Sequence, residues 1–186
     1  MAPILGIYAS QMSGHLTLPS SYYSIATQTV GSGGASSVTF SSIPSTYTHL
    51  QIRATSAGNN NTAVLLAFNG DASSGNYSVH DLKAGQGYGS SIYSDGSANI
   101  NYGVFLDQQT GNATYWNGTV ADIYDYANTN KYKTMRDFTG VDNNGNGFIY
   151  MYSSVWRNTA AITSISLYPY TSYFFANSSF ALYGVK

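Results

Sequence analysis

The sequence of 186 residues has no cysteine and no glutamate, and only 8% of its residues are charged. Without a thiol, the chain cannot form a disulfide framework, bind a metal through thiolates or use a cysteine nucleophile. A typical soluble domain carries about 25% charged residues, so neutral polar groups must cover most of this surface. These absences remove several function classes before any motif is considered.

Charged residues of either sign are also too few for binding to a highly charged partner. Seven basic and eight acidic side chains give a formal net charge of −1. Nucleic-acid binding needs clustered lysine and arginine, and attachment to anionic membranes needs a polybasic segment. The sequence therefore predicts no nucleic-acid partner and no membrane partner.

Long apolar runs are missing as well, since none approaches the ~20 residues that cross a bilayer. Residues 1–10 are apolar, but no lysine or arginine precedes the run, which makes them a poor signal peptide. We expect residues 1–20 to form an extended N-terminal arm. Such an arm packs either on its own domain or on a neighbouring subunit.

The chain is rich in residues that suit β-strands, with 18 tyrosines and eight phenylalanines among abundant threonine, serine, valine and isoleucine. Apolar residues recur at every second position in short segments, which is the period of a strand and not of a helix. The clearest sets are Val38 and Phe40; Leu50, Ile52 and Ala54; Ile100, Tyr102, Val104 and Leu106; Phe148, Tyr150 and Tyr152; and Phe180, Leu182 and Gly184.

Turn-forming residues separate these segments, most densely at residues 31–34 and 143–147. Pro44 and Pro169 cannot donate to a β-ladder, so they indicate strand ends. No segment predicts a capped amphipathic helix, and residues 126–130 favour a turn. The sequence predicts eight to ten strands in an all-β, antiparallel, jelly-roll-like β-sandwich, with one domain over residues 21–186.

One segment resembles half of a calcium loop, because Asp142, Asn144 and Asn146 have the spacing of its first oxygen ligands. The pattern then requires a bidentate glutamate, but Ser153 stands at that position. Two asparagine–glycine turns explain the segment without a metal. The sequence therefore predicts neither a metal nor any other cofactor.

Candidate catalytic groups do not combine into a site. Asp122 and Asp125 could suggest the two carboxylates of a glycosidase, but residues three apart on a strand point to opposite faces. His80 and Asp81 are adjacent and also point apart. The three histidines have no metal-ligand or triad spacing. No catalytic residue is predicted, and the chain is not expected to be an enzyme.

The few cations are partly grouped at Lys131, Lys133 and Arg136. Interleaved with tyrosine they could suggest an RNA-stacking platform, but three charges beside Asp137 are too few. A solvated edge, or salt bridges to a neighbouring subunit, explains them better.

Tyrosine is the most informative residue, because it combines apolar contact area with a hydroxyl group. Some of these rings will fill the core. The others suit an uncharged contact surface between subunits, on which binding would be insensitive to salt. The predicted interaction residues are Ile4, Leu5, Ile7 and Tyr8 in the arm, and Tyr168, Tyr170, Tyr173 and Phe174 near the C-terminus.

Several segments resemble small structural proteins encoded by tailed bacteriophages, notably phages of cyanobacteria and aquatic bacteria. The matching segments are residues 1–10, 25–27, 30–44, 47–53, 125–133 and 178–186. The middle of the chain, from about residue 59 to residue 118, diverges. The resemblance implies a component of the virion, without catalytic motif and without assigning any functional residue.

We expect a homotrimeric phage virion protein that binds other virion proteins. A capsid decoration (cement) protein contacting the major capsid protein is the first hypothesis. The alternative is a tail-fibre, spike or baseplate module that binds host carbohydrate through tyrosine and tryptophan loops. The weakest hypothesis is a hydrolase of cell-surface polysaccharide, which would need a close pair of carboxylates.

Overall fold

Alternating side chains and asparagine- or glycine-rich turns give a chain of short strands in the computed structural model. It describes residues 21–59, 63–73, 75–85, 93–100, 102–106, 113–171 and 173–186. These residues contain twelve strands and no helix, and hence no helix that could cross a membrane. The strands are β1 (Tyr22–Thr29), β2 (Val38–Phe40), β3 (His49–Ser56), β4 (Val64–Phe68), β5 (Tyr77–Gly85), β6 (Tyr93–Ile100), β7 (Gly103–Leu106), β8 (Asn117–Tyr124), β9 (Lys133–Asp142), β10 (Gly147–Trp156), β11 (Ile165–Pro169) and β12 (Ser179–Val185).

The strands form two sheets. The larger has eight strands in the order β1-β12-β3-β8-β9-β10-β5-β6, and the smaller has four in the order β2-β11-β4-β7. All ten strand pairings among the described residues are antiparallel. The predicted all-β, antiparallel class is confirmed.

Eight of the strands are paired in a nested way. In chain order, the first four of these eight strands pair with the other four in reverse: β1 with β12, β2 with β11, β3 with β8, and β4 with β7. The other four strands lie beyond β8 in the larger sheet, in the order β9-β10-β5-β6. We call these four strands the extension, because the nested arrangement is complete without them.

The inward faces of the two sheets share one hydrophobic cluster. Ile52, Ile123 and Leu182 reach it from the larger sheet, and Phe40 and Leu66 reach it from the smaller one. Burial of each such side chain contributes about 1.5–3 kcal/mol. Residues at every second position are buried along β8 and β9, which confirms the strand period read from the sequence.

The extension has a separate cluster on its inner face. Phe148, Tyr150 and Tyr152 alternate along β10, and Val79 and Val141 pack against them. The rings of Phe148 and Tyr150 stack with centroids 4.7 Å apart. The extension is therefore a packed part of the molecule with its own buried aromatic face.

Two details of the sequence interpretation need correction. The described residues contain twelve strands, not eight to ten. The alternation from Ile100 to Leu106 suggested one strand, but β6 ends at Ile100 in the larger sheet and β7 begins at Gly103 in the smaller one. A period of two shows that side chains are buried on alternate sides of the backbone. It does not show which of the two sheets a segment belongs to. The turn expected at residues 126–130 is present.

Candidate functional site

The outer face of the larger sheet carries an unusual set of apolar side chains. Side chains alternate across a strand, so each residue beside an inward-facing core residue points to solvent. On most antiparallel sheets of this kind the solvent face is polar. Here five outward residues are apolar and about half exposed: Val120 (41%), Phe138 (52%), Ile149 (54%), Met151 (51%) and Leu82 (47%).

Strand register places four of these residues in one line. Val120 on β8 is opposite Phe138 on β9, which is opposite Met151 on β10, which is opposite Leu82 on β5. Adjacent strands are about 4.8 Å apart, so the line is about 14 Å long. We call these four residues the apolar row; Ile149 lies beside it on β10.

A polar and aromatic network borders the row on the side of β3. The Nε group of Arg53 donates to Oε1 of Gln51 at 2.7 Å, and Nε2 of Gln51 donates to Oδ1 of Asp122 at 2.7 Å. The Arg53 guanidinium also lies 5.1 Å from the ring centroids of both Tyr22 and Tyr183. These charges are held in defined positions by neighbours on the same face.

The outer face thus has an apolar centre and a polar border, which is the usual anatomy of a protein–protein interface. Contiguous exposed apolar patches on soluble proteins often mark contact sites. The row contains no nucleophile, acid or base. What this arrangement can do is bind another surface and exclude water from it.

Two of the titratable groups considered in the sequence analysis lie on opposite faces of β5. His80 is exposed on the outer face and Asp81 is buried on the inner face, so the two point apart as expected. No group of three or more possible metal-ligating side chains occurs among the described residues. Asp125, which has a positive φ, accepts a hydrogen bond from Lys131, and this bond holds the pKa of the Asp125 carboxyl below its usual value.

The half calcium loop is a turn between β9 and β10. Oδ1 of Asp142 accepts a hydrogen bond from the Gly145 N–H at 2.9 Å, and the Asn143 N–H donates to the Asn146 carbonyl. Asp142, Asn144 and Asn146 are exposed. The hydrogen bonds of a tight turn account for this segment.

Asp71 fastens the loop before β5 to the core. Its carboxylate accepts hydrogen bonds from Trp156 Nε1 at 2.7 Å, from Asn76 Nδ2 at 2.8 Å and from the Ser73 N–H at 2.9 Å. Partial burial opposes ionisation, but these hydrogen bonds outweigh it and hold the pKa of the Asp71 carboxyl below its usual value. The Trp156 ring in turn stacks on Tyr77.

Lys133 lies inside the molecule, which corrects the expectation of a solvated edge. The side chain is fully buried, and its ammonium group donates to the carbonyls of Asn128, Lys131 and Thr159. Burial, with a smaller effect from the Lys131 charge, lowers the pKa of Lys133. β9 lies between β8 and β10 and is not an edge strand. The sequence pattern could not show the three carbonyl groups that make burial of a cation possible.

No protein-family model matches the chain, and a search of curated proteins finds no match.

The structure separates the interaction residues predicted from the sequence. Ile4, Leu5, Ile7 and Tyr8 lie outside the described residues. The other four lie near the C-terminal end of the chain. Tyr170 and Tyr173 are exposed (67% and 43%), Tyr168 is half-buried against Tyr102, and Phe174 is fully buried against Phe180.

Phe174 therefore packs in the core and is not available on a contact surface, because consecutive residues of an extended segment point to opposite sides. The sequence interpretation missed the apolar row entirely. Its signal was the unbroken apolar and aromatic run from Phe148 to Tyr152, which makes both faces of β10 apolar.

Proposed function

We propose that this chain is a structural protein of a tailed-phage virion, and more specifically a capsid decoration protein. It acts by contact with neighbouring subunits and not by chemical turnover. The single observation that carries the proposal is the apolar row on the outer face of the larger sheet.

Three of the four residues in the row belong to the extension, namely Phe138, Met151 and Leu82. The nested pairing is complete without these additional strands, which nevertheless contribute Tyr77, Met135 and Trp156 to the main core. They enlarge one face of the molecule and place exposed apolar groups on it. This supports a role for the extension in contact with another protein.

We further propose that the nested strands form a jelly-roll sandwich, with residues 1–20 as an anchoring arm. The sheet orders β1-β12-β3-β8 and β2-β11-β4-β7 are those of a chain folded as one long hairpin and rolled up. Jelly rolls of eight strands occur in viral capsid domains and also in lectins. The architecture fits the proposal without deciding it, because a fold does not fix a function.

In this proposal a homotrimer sits over a junction of capsid subunits, with each apolar row against the shell. Each contact is modest, but three linked contacts bind far more tightly than one. Few charges take part, so attachment resists changes in ionic strength. The subunits so linked resist separation when the shell expands.

The test is the position of the chain in the particle of the phage that encodes it. We expect a reconstruction of the intact particle to place three copies around shell junctions, with the apolar row facing the capsid protein. Absence from purified particles, or a row that faces solvent in the assembled shell, would contradict the proposal.

The second candidate, a tail-fibre, spike or baseplate module that binds host saccharide, is favoured by one feature. A cleft whose described lining includes Trp116, Tyr173 and Phe175 shares no residue with the row. The same reconstruction separates the two candidates, because a tail module would lie at the tail and not on the shell.

A further inference from the structure

Three loops converge at one end of the larger sheet, where β1 and β3 end and β8 and β12 begin. Between them lies a cleft of about 420 Å³, within the usual range for ligand sites. It is lined by Ser32, Gly33, Gly34, Ala113, Trp116, Tyr173, Phe175, Ala176 and Asn177. None of these described lining residues is charged.

Backbone hydrogen bonds hold the loop before β12 in place. The Phe174 N–H donates to the Ala35 carbonyl at 2.8 Å, and the Ala35 N–H donates to the Phe174 carbonyl at 3.1 Å. The Phe175 N–H donates to the Ala57 carbonyl at 2.8 Å, and the Asn177 N–H donates to the Val30 carbonyl at 2.8 Å. Phe174 itself is buried in the core. The cleft is therefore built on a loop that is fixed at several points.

The absence of a side chain at Gly34 lets the Tyr173 ring pack closely against the loop that contains Gly34. A Cβ atom at position 34 would lie 2.7 Å from Cδ2 of Tyr173 and 2.9 Å from the Phe174 carbonyl oxygen. Gly34 also has a φ of +72°, which side chains other than asparagine and aspartate rarely adopt. The chain thus has glycine where the ring and the loop must come close.

The aromatic walls have defined orientations. The rings of Tyr173 and Phe175 meet edge to face, with centroids 5.9 Å apart and an interplanar angle of 72°. The Trp116 indole N–H donates to the Ala113 carbonyl at 3.0 Å, which fixes the ring on the opposite loop. Asn177 and Ser32 are exposed beside these rings.

We infer that this aromatic cleft binds a neutral saccharide. A sugar ring has apolar C–H faces and hydroxyl groups at its edge. Aromatic side chains offer flat apolar surfaces for the C–H faces of the sugar. The Asn177 amide and the Ser32 hydroxyl can each donate a hydrogen bond to a sugar hydroxyl and accept one from it. Because aromatic surface and uncharged hydrogen-bonding groups occur together, the cleft matches both parts of such a ligand.

Other ligand classes fit less well. Phosphate- or carboxylate-bearing ligands need cations or converging charge-assisted donors, and the described part of the lining includes no lysine or arginine. Single-stranded nucleic acid stacks on aromatic rings, but it also needs a positively charged groove. The inference holds for a shell protein and for a tail protein alike, so its failure and the failure of the proposed virion role are separate results.

The full-length protein can be tested by tryptophan fluorescence, since Trp116 lies in the cleft and Trp156 is buried in the core. The probes are neutral di- to tetrasaccharides of glucose, galactose, mannose and N-acetylglucosamine, with sialylated and uronic-acid oligosaccharides for comparison. We expect at least one neutral probe to change the Trp116 signal with a Kd of about 1 mM or tighter. Charged probes should bind more weakly.

Variants assign the binding to the cleft. Tyr173→Ala should weaken binding by about tenfold or more, because it removes one aromatic wall. Asn177 has a φ of +72°, which asparagine and aspartate both tolerate. Asn177→Asp therefore keeps the size and backbone conformation of the residue but loses the N–H donors, so it should also weaken binding. Tyr170→Ala is the matched control, since Tyr170 is more exposed than Tyr173 and does not line the cleft.

The melting temperature of each variant shows whether it is folded. The inference is overturned if no neutral probe binds at about 1 mM, if charged probes bind as well as neutral ones, or if folded Tyr173→Ala binds like the native chain.

Discussion

The apolar row and the aromatic cleft both expose apolar side chains, but they are built in different ways. The row is produced by strand register, which repeats one outward position across β8, β9, β10 and β5. The cleft is produced by loops, whose positions depend on specific hydrogen bonds and on close packing at Gly34. The first is part of a sheet face and the second is a cleft between loops.

This difference determines what each region can recognise and how it tolerates change. Flexible side chains such as Met151 and Leu82 can adjust to a large opposing surface, so conservative changes in the row should have small effects. The cleft depends on rings in fixed orientations, and a small shift of one loop should matter there. Mutations can therefore separate the two regions.

The largest expected effect is the loss of attachment when a charge enters the row. Met151→Asp would bury an unpaired carboxylate against the capsid protein. Residues central to an interface often contribute 2 kcal/mol or more, so we expect binding to weaken by about 30-fold or more. The measurement is co-sedimentation of the purified protein with particles that lack it.

Ser153→Asp is the matched control for Met151→Asp. It places the same charge on the same face of β10, two residues away, beside Arg136 and His80 on the neighbouring strands. Both variants should unfold at nearly the native temperature, because both positions are on the surface. Equal losses of attachment in the two variants would show that the row is not the contact.

The second largest effect is expected for Gly34→Ala, which should change both the stability of the fold and saccharide binding in the cleft. Gly34→Ala would force a side chain into a positive φ and against Tyr173, which should lower the free energy of unfolding by about 1–3 kcal/mol. It should also weaken saccharide binding while leaving particle attachment intact. Chemical denaturation and the two binding assays measure these changes.

Gly31→Ala is the control for this substitution, since a Cβ at Gly31 would have no atom within 4 Å and Gly31 is not among the described residues that line the cleft. That variant should be close to native in stability and in both binding assays. If Gly34→Ala reduced particle attachment as much as saccharide binding, the two regions would not be independent.

The fold class was predictable from the sequence because burial on alternate sides leaves a period of two. In β3, Leu50, Ile52 and Ala54 are all buried as that period predicts. The order of the strands was not predictable, because β-pairing between distant segments leaves no local pattern. The division of residues 100–106 between two sheets is one result of this.

The two exposed apolar regions were predictable only in part. The sequence analysis placed Tyr173 on a contact surface between subunits, which stays a prediction; in the structure Tyr173 is exposed and lines the cleft. The adjacent Phe174 was grouped with it, although it points into the core. The apolar row needed the register of four strands, since Val120 and Leu82 are far apart in sequence and share a line only after folding.

The smallest expected effect is that of low pH on the free energy of unfolding. It concerns Asp71, which belongs neither to the apolar row nor to the described lining of the cleft. The lowered pKa of Asp71 means that its ionised form stabilises the native state above the usual carboxyl value near 3.8. This stability is lost as the pH falls below that value and through the lower pKa of the folded protein. Asp71→Asn should therefore flatten the acid dependence of unfolding as the pH falls below 3.8, measured by denaturant midpoints with tryptophan fluorescence.

Asp125 also has a lowered pKa and should retain part of the dependence in that variant. Neither the row nor the described lining of the cleft contains a carboxylate. Binding at both surfaces should therefore decline in acid only as the protein unfolds.

A loss of attachment or of saccharide binding while Trp156 still reports the native state would show that an acidic group takes part in the contact. An Asp71→Asn variant with the native acid dependence would show instead that the bonds from Trp156, Asn76 and Ser73 do not stabilise the ionised carboxylate.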